Sequence, residues 1–482
     1  MTIKRNTLYN VAGATVPLAI TLVTVPLYLQ VIGQARFGML AIVWLLLGYL
    51  GMLDLGLSTA STHALARARS DEPAVRARIV LTSLVANLGL GLFIAAVLLL
   101  GGPWLISKGS FPPGMGHELQ LAMPWLCAAI PIAMAGGVLN GLLTAREEFG
   151  RLNLVNLAGT ALFQLVPLGA AFAIGPQLNS ILPAAVLARA VPVAVLFVMS
   201  RSRVDYGLAG FESSVLKQLV SYGGWVMVTS LVGPVLVSAD QLMIGAIMGA
   251  AAVAPYNVAS NLAVRVAVLP SALGQTLFPR LSGLPEAEAT ELAGNSFRTL
   301  SIVVAIACVP AILLVRPFFT WWLGAHFAAS SAPVAQVLLV AVWINSLAGL
   351  PFTLVRARGR PEIAARFHLL EVVPFLILLY VLIGSFGLMG AAAAWLLRVL
   401  ADAVLLIRAS RLPSSSYSLL PLSAVMVGIA ALVAATLSLT LVEAILLALV
   451  SFIALGLVAR ALDPVVRSTS DSILAFIRLR TA

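Results

Sequence analysis

Charged side chains lie inside several long apolar segments of this sequence, where charges are rare. Arg189, Arg265, Asp54 and Asp240 are among them, and so are Arg398 and Asp402, whose spacing of four residues predicts a local structural ion pair. A lone charge at the centre of a bilayer costs at least about 2.5 kcal/mol, so such residues usually line water or pair with one another. We therefore expect these side chains to line a polar cavity or to form structural ion pairs.

Arg265 is the first choice for contact with an anion. It follows Asn261 by four residues and Asn257 by eight, so the three side chains share one face of a helix. A guanidinium stays protonated when partly buried and binds phosphate through two parallel hydrogen bonds. This polar row predicts a site for a phosphate-bearing lipid head, with Arg189 as a further candidate. The alternative is an arginine held by a structural carboxylate.

The two aspartates are candidates for binding a coupling ion. A carboxylate in an apolar cavity holds a proton more readily than one in water, so Asp240 and Asp54 are predicted to bind a proton or a sodium ion. For each aspartate, the alternative is a structural pair with an arginine.

The first apolar segment carries a polar stripe with a central proline. Its small and polar residues recur at steps of three and four, which places them on one helix face that points away from lipid. Within it, Asn10, Thr24 and Tyr28 are predicted to contact substrate. The alternative is that such residues only hold helices together, and this is the favoured interpretation for Gly48, Gly51, Ser58 and Thr62. The stripe consists of Asn6, Asn10, Gly13, Pro17, Thr21, Thr24 and Tyr28.

An internal repeat aligns Gly33 with Gly249 and Gly38 with Ala254. An even number of apolar segments separates the copies, so both halves have the same orientation and should be related by an axis along the membrane normal. Helices interrupted by Pro or Gly at matching places in two halves indicate a central site, which we expect between segments 1, 2, 7 and 8.

About fourteen apolar segments, each long enough to cross a bilayer, follow one another from Asn6 to Arg460. The predicted fold is an all-α membrane protein with about 14 transmembrane helices. Residues 1–200 form an N-terminal six-helix lobe and residues 201–411 a second six-helix lobe. Residues 412–482 supply two extra helices and a cytoplasmic tail.

Positive charges alternate between the loops. Lysines and arginines fill the N-terminus and the even-numbered loops, whereas the other loops hold only Arg36, Lys108 and Arg316. The positive-inside rule therefore predicts that both termini are cytoplasmic. The formal net charge of +11 is thus a topology signal, and no nucleic acid partner is expected.

Motifs for chemical catalysis are absent from the sequence. It has no phosphate-binding loop, zinc-protease motif, nucleophile elbow or paired CxxC, so we do not expect an enzyme. Cys127 and Cys308 lie in apolar segments and are interpreted as packing residues. No metal site is predicted, and no cofactor beyond a coupling proton or sodium ion.

Several short patterns carry a family resemblance over nearly the whole chain. They are Gly33, Phe37 and Gly38, then Leu53, Asp54, Leu55 and Gly56, then Asp240, Ile244, Gly245, Gly249 and Tyr256, and the turn GLLTAREEFGRLNLVN from Gly141. With these patterns the chain resembles the polysaccharide flippases of the multidrug, oligosaccharidyl-lipid and polysaccharide exporter superfamily. Where members often carry Gly before the aromatic residue of the second repeat, this chain has Ala254 and Pro255.

This resemblance implies a V-shaped, alternating-access transporter in the bacterial inner membrane. Its substrate would be an undecaprenyl-diphosphate-linked oligosaccharide, turned from the cytoplasmic to the outer leaflet for assembly of O-antigen or exopolysaccharide. Arg265 and Arg189 would hold the diphosphate. A polysaccharide polymerase and a chain-length regulator would be its partners, besides the lipid bilayer.

Three other functions are weighed against this one. A cation-coupled multidrug exporter of the same superfamily should carry acidic residues in its polar stripe, but the first segment has no carboxylate. A peptidoglycan lipid-precursor flippase shares the fold and an arginine-lined cavity, and the sequence does not separate it from an oligosaccharide flippase. A membrane glycosyltransferase would need a large polar loop, which is lacking.

Overall fold

The computed structural model describes residues 3–49, 54, 56–67, 73–108, 112–146, 148–204, 210–468 and 470–471. For residues 3–16, 49, 66–67, 105, 108, 149, 222–235 and 269 it describes the backbone alone. In this described part of the chain the regular structure is entirely helical. The all-α prediction is confirmed.

The chain divides into two compact units, Met1–Ala254 and Pro255–Ala482. Helices of the first unit are α1 (Ile3–Tyr49), α2 (Leu57–Arg67), α3 (Pro73–Lys108), α4 (Met115–Ala145), α5 (Phe149–Ala173), α6 (Leu178–Arg201) and α7 (Ser213–Met248). α8 (Ala250–Val264) begins in the first unit and ends in the second. Helices of the second unit are α9 (Val268–Gly283), α10 (Glu286–Leu323), α11 (Ala325–Ala357), α12 (Pro361–Ser410), α13 (Leu420–Thr436) and α14 (Leu441–Leu462).

Two of these helices fold back on themselves at a glycine. In α1 the break lies at Gly33, and the rings of Tyr28 and Trp44 are 5.6 Å apart, whereas a straight helix would separate these positions by about 24 Å. In α12 the break lies at Gly387, and a side chain added at Gly390 would overlap the Leu382 carbonyl oxygen. Each helix therefore contains two crossings.

The count of crossings agrees with the sequence. Eleven helical stretches in the described ranges are long and apolar enough to span a membrane, and α1 and α12 each supply two crossings. The end of α7, Leu236–Met248, is a further apolar helix. The protein is a multi-pass membrane protein, and the predicted number of about 14 crossings fits.

Small residues bring α2 and α4 together in the first unit. A side chain added at Gly141 would overlap the Thr62 hydroxyl, and one added at Gly137 would lie 2.6 Å from the Ser58 hydroxyl. Close approach through Gly, Ser and Thr is the usual way in which membrane helices associate. The packing interpretation is confirmed for Ser58 and Thr62. It gains no support at Gly48, where an added side chain would meet no atom within 4 Å, and Gly51 lies outside the described residues.

The two copies of the repeat turn have the same backbone. Gly33 has φ 77° and ψ 165°, and Gly249 has φ 87° and ψ 166°, a region that is essentially open to glycine alone. The copies also meet, because Gln34 Nε2 donates to the Ala251 carbonyl at 3.0 Å. This supports the repeat. The division into lobes 1–200, 201–411 and 412–482 stays a prediction.

Candidate functional site

The predicted polar row is present in the second unit. Asn261 Nδ2 donates to the carbonyl oxygen and Oδ1 of Asn257, at 2.9 and 3.0 Å. Arg265 starts the 3₁₀ turn Arg265–Ala267, which interrupts the helix between α8 and α9. Such a turn inside a longer helix often marks a functional hinge. Asn261 and Arg265 are both exposed, so the row is open to a ligand.

Within the described residues, Arg265 has neither an ion pair nor a hydrogen bond to a carboxylate. The alternative of a structural arginine therefore gains no support. A guanidinium without a carboxylate partner has its N–H groups available to bind an anion.

A pocket of about 290 Å³, lined by both apolar and polar residues, follows directly after this row. α9 contributes Ser271 and Gln275 to its lining, and α11 contributes Asn345, Thr353 and Arg356. Ala267, the last residue of the 3₁₀ turn, also lines it. This volume is at the small end of ligand pockets, which suits a head group better than a whole lipid-linked sugar chain.

Arg356 is the residue that sequence reasoning missed, because it was counted among the loop charges. Its guanidinium carbon lies 5.1 Å from the ring centroid of Phe352 and 5.5 Å from that of Phe278. It is exposed and has no ion-pair partner in the described ranges. A signal was available in the spacing, because Ser346, Gly349, Thr353 and Arg356 recur at steps of three and four.

The first unit buries one end of the predicted stripe. Thr24 and Tyr28 have no exposed surface, and the Tyr28 hydroxyl donates to the Gln164 carbonyl at 2.7 Å, whereas Pro17 and Thr21 are half-buried. At Thr24 and Tyr28 the stripe therefore faces protein, as predicted. Contact of either residue with substrate stays a prediction. The side chain of Asn10 lies outside the described residues.

An aromatic cluster connects Tyr28 to Arg189. Tyr28 packs on Trp44, and the Trp44 ring lies 5.9 Å from that of Phe163. The Arg189 guanidinium lies over the Phe163 ring, 5.6 Å from its centroid. No carboxylate pairs with Arg189 in the part of the chain that the structure describes. Its contact with the Phe163 ring is a cation–π interaction. The fold brings these two predicted residues into one neighbourhood.

The two predicted ion-binding aspartates are both buried. Asp54 accepts hydrogen bonds from the backbone N–H groups of Gly56 and Ser58, at 3.0 and 2.8 Å, and so caps the start of α2. Asp240 Oδ1 accepts a hydrogen bond from the Gln241 backbone N–H at 2.7 Å. Asp54 thus has a structural role, and the predicted ion binding at either residue stays untested.

The turn between α4 and α5 is organised by one carboxylate. Glu148 accepts two hydrogen bonds from Arg203, at 2.7 and 2.6 Å, and one from Arg151 at 3.1 Å. Arg146 lies 3.6 Å from the same carboxylate. The hydrogen bonds from Arg203, followed by those from Arg151, lower the pKa of Glu148 to about 2. This cluster fixes the turn against the end of α6.

The fold is shared with solved multi-helix membrane proteins. It is similar to the solved structure of "Lipid II flippase MurJ, inward closed conformation", with a TM-score of 0.74 and 11% identity over 93% of this chain and 98% of the other. It is also similar to an inward-facing multidrug resistance MATE family transporter of the MOP superfamily, with a TM-score of 0.62 and 15% identity. That match covers 86% of this chain and 98% of the transporter.

The sequence then defines the family. The pattern described as "Polysaccharide biosynthesis protein" matches residues 3–284, more than half of the chain, and the chain belongs to this family. A protein of Shigella flexneri with the name "Putative O-antigen transporter" is 28% identical over 410 residues, which cover 84% of this chain and 97% of the relative. The family resemblance seen in the sequence is confirmed.

Proposed function

We propose that the protein is a flippase that moves undecaprenyl-diphosphate-linked oligosaccharides from the cytoplasmic to the periplasmic leaflet. It transports its substrate and does not catalyse a chemical reaction. The observation that carries this proposal concerns two arginines without carboxylate partners in the described ranges. Arg356 lines a pocket between membrane-spanning helices, and Arg265 lies two residues before Ala267 of the same lining.

The chemistry of the substrate follows from these two arginines. A guanidinium binds phosphate oxygens through parallel hydrogen bonds, so two of them suit a diphosphate. Asn261 and the amide and hydroxyl groups of the pocket can bind sugar hydroxyls. The lipid tail can stay in the bilayer, which needs no protein site. The name of the Shigella flexneri relative, an O-antigen transporter, supports the same substrate class.

The first unit contributes the remaining predicted contacts. Arg189 is proposed as a further phosphate contact, with Asn10, Thr24 and Tyr28 along the first crossing. Tyr28 and Thr24 are buried in this structure, so their contact with substrate requires a conformation in which the aromatic cluster opens. Alternating access supplies such a change, because one repeat moves against the other around the site.

Location, partners and energy source complete the proposal. The protein would lie in the bacterial inner membrane. The positive charges of the loops support an orientation with both termini in the cytoplasm. A polymerase and a chain-length regulator would take up the flipped units. A proton or sodium gradient would drive transport through Asp240 or Asp54, and the two six-helix lobes, 1–200 and 201–411, would be the moving parts.

A peptidoglycan lipid-precursor flippase is the second candidate. Its substrate also carries a diphosphate, and the fold similarity to the lipid II flippase structure favours it. A cation-coupled multidrug exporter fits less well, because an arginine without a carboxylate partner repels a cationic drug.

Deletion of the gene in its own host tests the proposal. We expect lipid-linked repeat units to accumulate in the inner membrane and surface polysaccharide to disappear, both reversed by the gene on a plasmid. Lethal accumulation of peptidoglycan precursor would indicate the second candidate. New drug sensitivity with unchanged surface glycan would indicate an exporter.

A further inference from the structure

Four ionisable side chains meet in α12, away from the polar row. His368 and Glu371 precede the break at Gly387, and Arg398 and Asp402 follow it. Because α12 folds back at the break, residues from its two crossings lie side by side. We refer to these four residues as the α12 cluster.

The contacts within the α12 cluster join the two crossings. Arg398 Nη1 lies 3.6 Å from Glu371 Oε2, and His368 Nε2 lies 3.7 Å from Asp402 Oδ1. Asp402 lies one helical turn beyond Arg398 on the same face, so both carboxyl groups lie near this one guanidinium. Glu371 is only 8% exposed and Asp402 only 7%. Both oxygens of Glu371 and Oδ1 of Asp402 are buried without a hydrogen-bond partner among the described residues.

The surroundings of the α12 cluster are mostly aromatic and apolar. The Phe375 ring lies 5.3 Å from the guanidinium carbon of Arg398, and the Phe352 ring of α11 stacks on His368 at 5.9 Å. The charged side chains at this end of α11 have other contacts. Arg356 lies over the Phe352 ring, and Arg358, next to the end of α11, donates to the Ser410 carbonyl at 3.0 Å. The other charged residues of α12, all exposed, are Glu362, Arg366 and Arg408.

The charges of the α12 cluster do not balance. Two carboxylates face one guanidinium, so one negative charge remains when His368 is neutral. A buried charge without compensation is unfavourable in a low-dielectric interior, and one proton on a carboxyl group or on His368 removes it. Loss of one negative charge also lowers the cost of leaving these carboxylate oxygens without hydrogen-bond donors.

We propose that the α12 cluster binds one exchangeable proton, shared between Glu371 and Asp402, and that this proton drives transport. The coupling rests on the flippase function proposed above. The proton joins a carboxylate oxygen from water on one side of the membrane and returns to water on the other, with no other bond changed. Protonation weakens the attraction between Glu371 and Arg398 and so changes how the two crossings pack. The α12 cluster would then take the place of Asp54 and Asp240 as the coupling site.

Infrared titration of the purified full-length protein tests proton binding without any substrate. Between about pH 5 and pH 9 we expect the wild type to lose one protonated-carboxyl band. Glu371→Gln leaves one arginine facing one aspartate, which is neutral and nearly isosteric, so it should fold and lack this band. Glu362→Gln changes an exposed carboxylate of the same helix and should keep it. An unchanged band in both Glu371→Gln and Asp402→Asn would overturn the proposal.

Transport in proteoliposomes tests coupling. The probe is lipid-linked oligosaccharide extracted from the host, with and without an imposed pH gradient. The gradient should accelerate the wild type, whereas Glu371→Gln should equilibrate the probe without any acceleration. Acceleration of Glu371→Gln equal to that of the wild type would overturn proton coupling at this site. No movement of the probe by the wild type would instead contradict the flippase function, while the infrared result still decides proton binding.

Discussion

At the scale of residues, the arginines of this protein differ in whether a carboxylate pairs with them. Arg265 and Arg356 have no carboxylate partner in the described ranges, whereas Arg36, Arg203 and Arg298 are each paired with one. A paired arginine holds two elements together, and an unpaired one retains its hydrogen-bonding capacity for a ligand. The distinction separates candidate binding residues from structural ones within a chain that has many arginines.

Replacement of Arg265 should reveal its contact with the anion. Removing a hydrogen bond to a charged group costs about 1.5–3 kcal/mol, or about a ten- to hundredfold loss of affinity, so Arg265→Ala should abolish flipping. Arg265→Lys keeps the charge without the fork and should retain part of the activity. The measurement is restoration of surface polysaccharide in the deletion strain, with Arg366→Ala, an exposed arginine of α12, as the control. Full activity of Arg265→Ala would remove this residue from the site.

Glu148 should make stability depend on pH in a defined range. Its pKa is lowered to about 2 from an unfolded value of about 4.3, so it stabilises the fold above the unfolded pKa and loses this contribution as the pH falls towards 2. Glu148→Gln should therefore melt at a lower temperature than the wild type at pH 7. The difference should shrink between about pH 5 and pH 2.

Thermal unfolding in detergent measures the effect of Glu148. Glu288→Gln, an exposed carboxylate of α10, is the control and should melt like the wild type at each pH. Identical melting temperatures of Glu148→Gln and the wild type at pH 7 would contradict the stabilising role of the turn.

At the scale of elements, small residues and glycine breaks determine how the helices pack. α2 approaches α4 because Gly137 and Gly141 leave room for Ser58 and Thr62. α1 and α12 reverse at glycines, which lets one continuous helical stretch supply two crossings. The same break in α12 joins the four residues of the α12 cluster.

A methyl group at Gly141 should separate α2 from α4. In Gly141→Ala the new Cβ would overlap the Thr62 hydroxyl and lie 3.3 Å from the Ser58 carbonyl oxygen, and such overpacking typically costs about 1–3 kcal/mol. In the double variant Gly141→Ala with Thr62→Ala the overlapping hydroxyl is absent, so much of the lost stability should return. Thermal stability of the single and double variants checks this, with Gly89→Ala, where no atom lies within 4 Å, as the control. A double variant no more stable than Gly141→Ala would contradict the packing argument.

At the scale of the whole molecule, ion pairs join helices of the first unit at both ends of these helices. At one end, Arg36 and Glu118 form a pair with a shortest distance of 2.6 Å, and Glu118 also accepts a hydrogen bond from the Leu178 backbone N–H at 2.8 Å. At the other end, Glu148 binds Arg203. Arginine clusters belong mainly to the second of these ends, which is the predicted cytoplasmic side.

Labelling of single cysteines from outside the cell tests this orientation. Pro113→Cys lies between α3 and α4 on the predicted outer side, and Ser282→Cys lies at the end of α9 on the predicted inner side. A membrane-impermeant maleimide should label Pro113→Cys in spheroplasts and Ser282→Cys only after lysis. Cys127 and Cys308 are buried and should give little background. The reverse labelling pattern would place both termini outside.

Local patterns made much of the fold predictable. Crossings are set by runs of apolar residues, and these runs can be counted along the chain without knowledge of any contact. The row Asn257, Asn261 and Arg265 was also predictable, because helical periodicity alone places it on one face. Arg356 was not singled out as a candidate binding residue, because an arginine at the end of a helix is already explained by the positive-inside rule.

The sequence by itself determined the all-α class, about fourteen crossings, the repeat turns at Gly33 and Gly249, and the polar row, because each depends on hydropathy or spacing over short distances. Only the tertiary structure decided which charges are paired. It assigned Asp54 to the cap of α2, and it brought Glu371 beside Arg398 and His368 beside Asp402. Pairing depends on residues that are distant in the chain and meet only when helices reverse and pack.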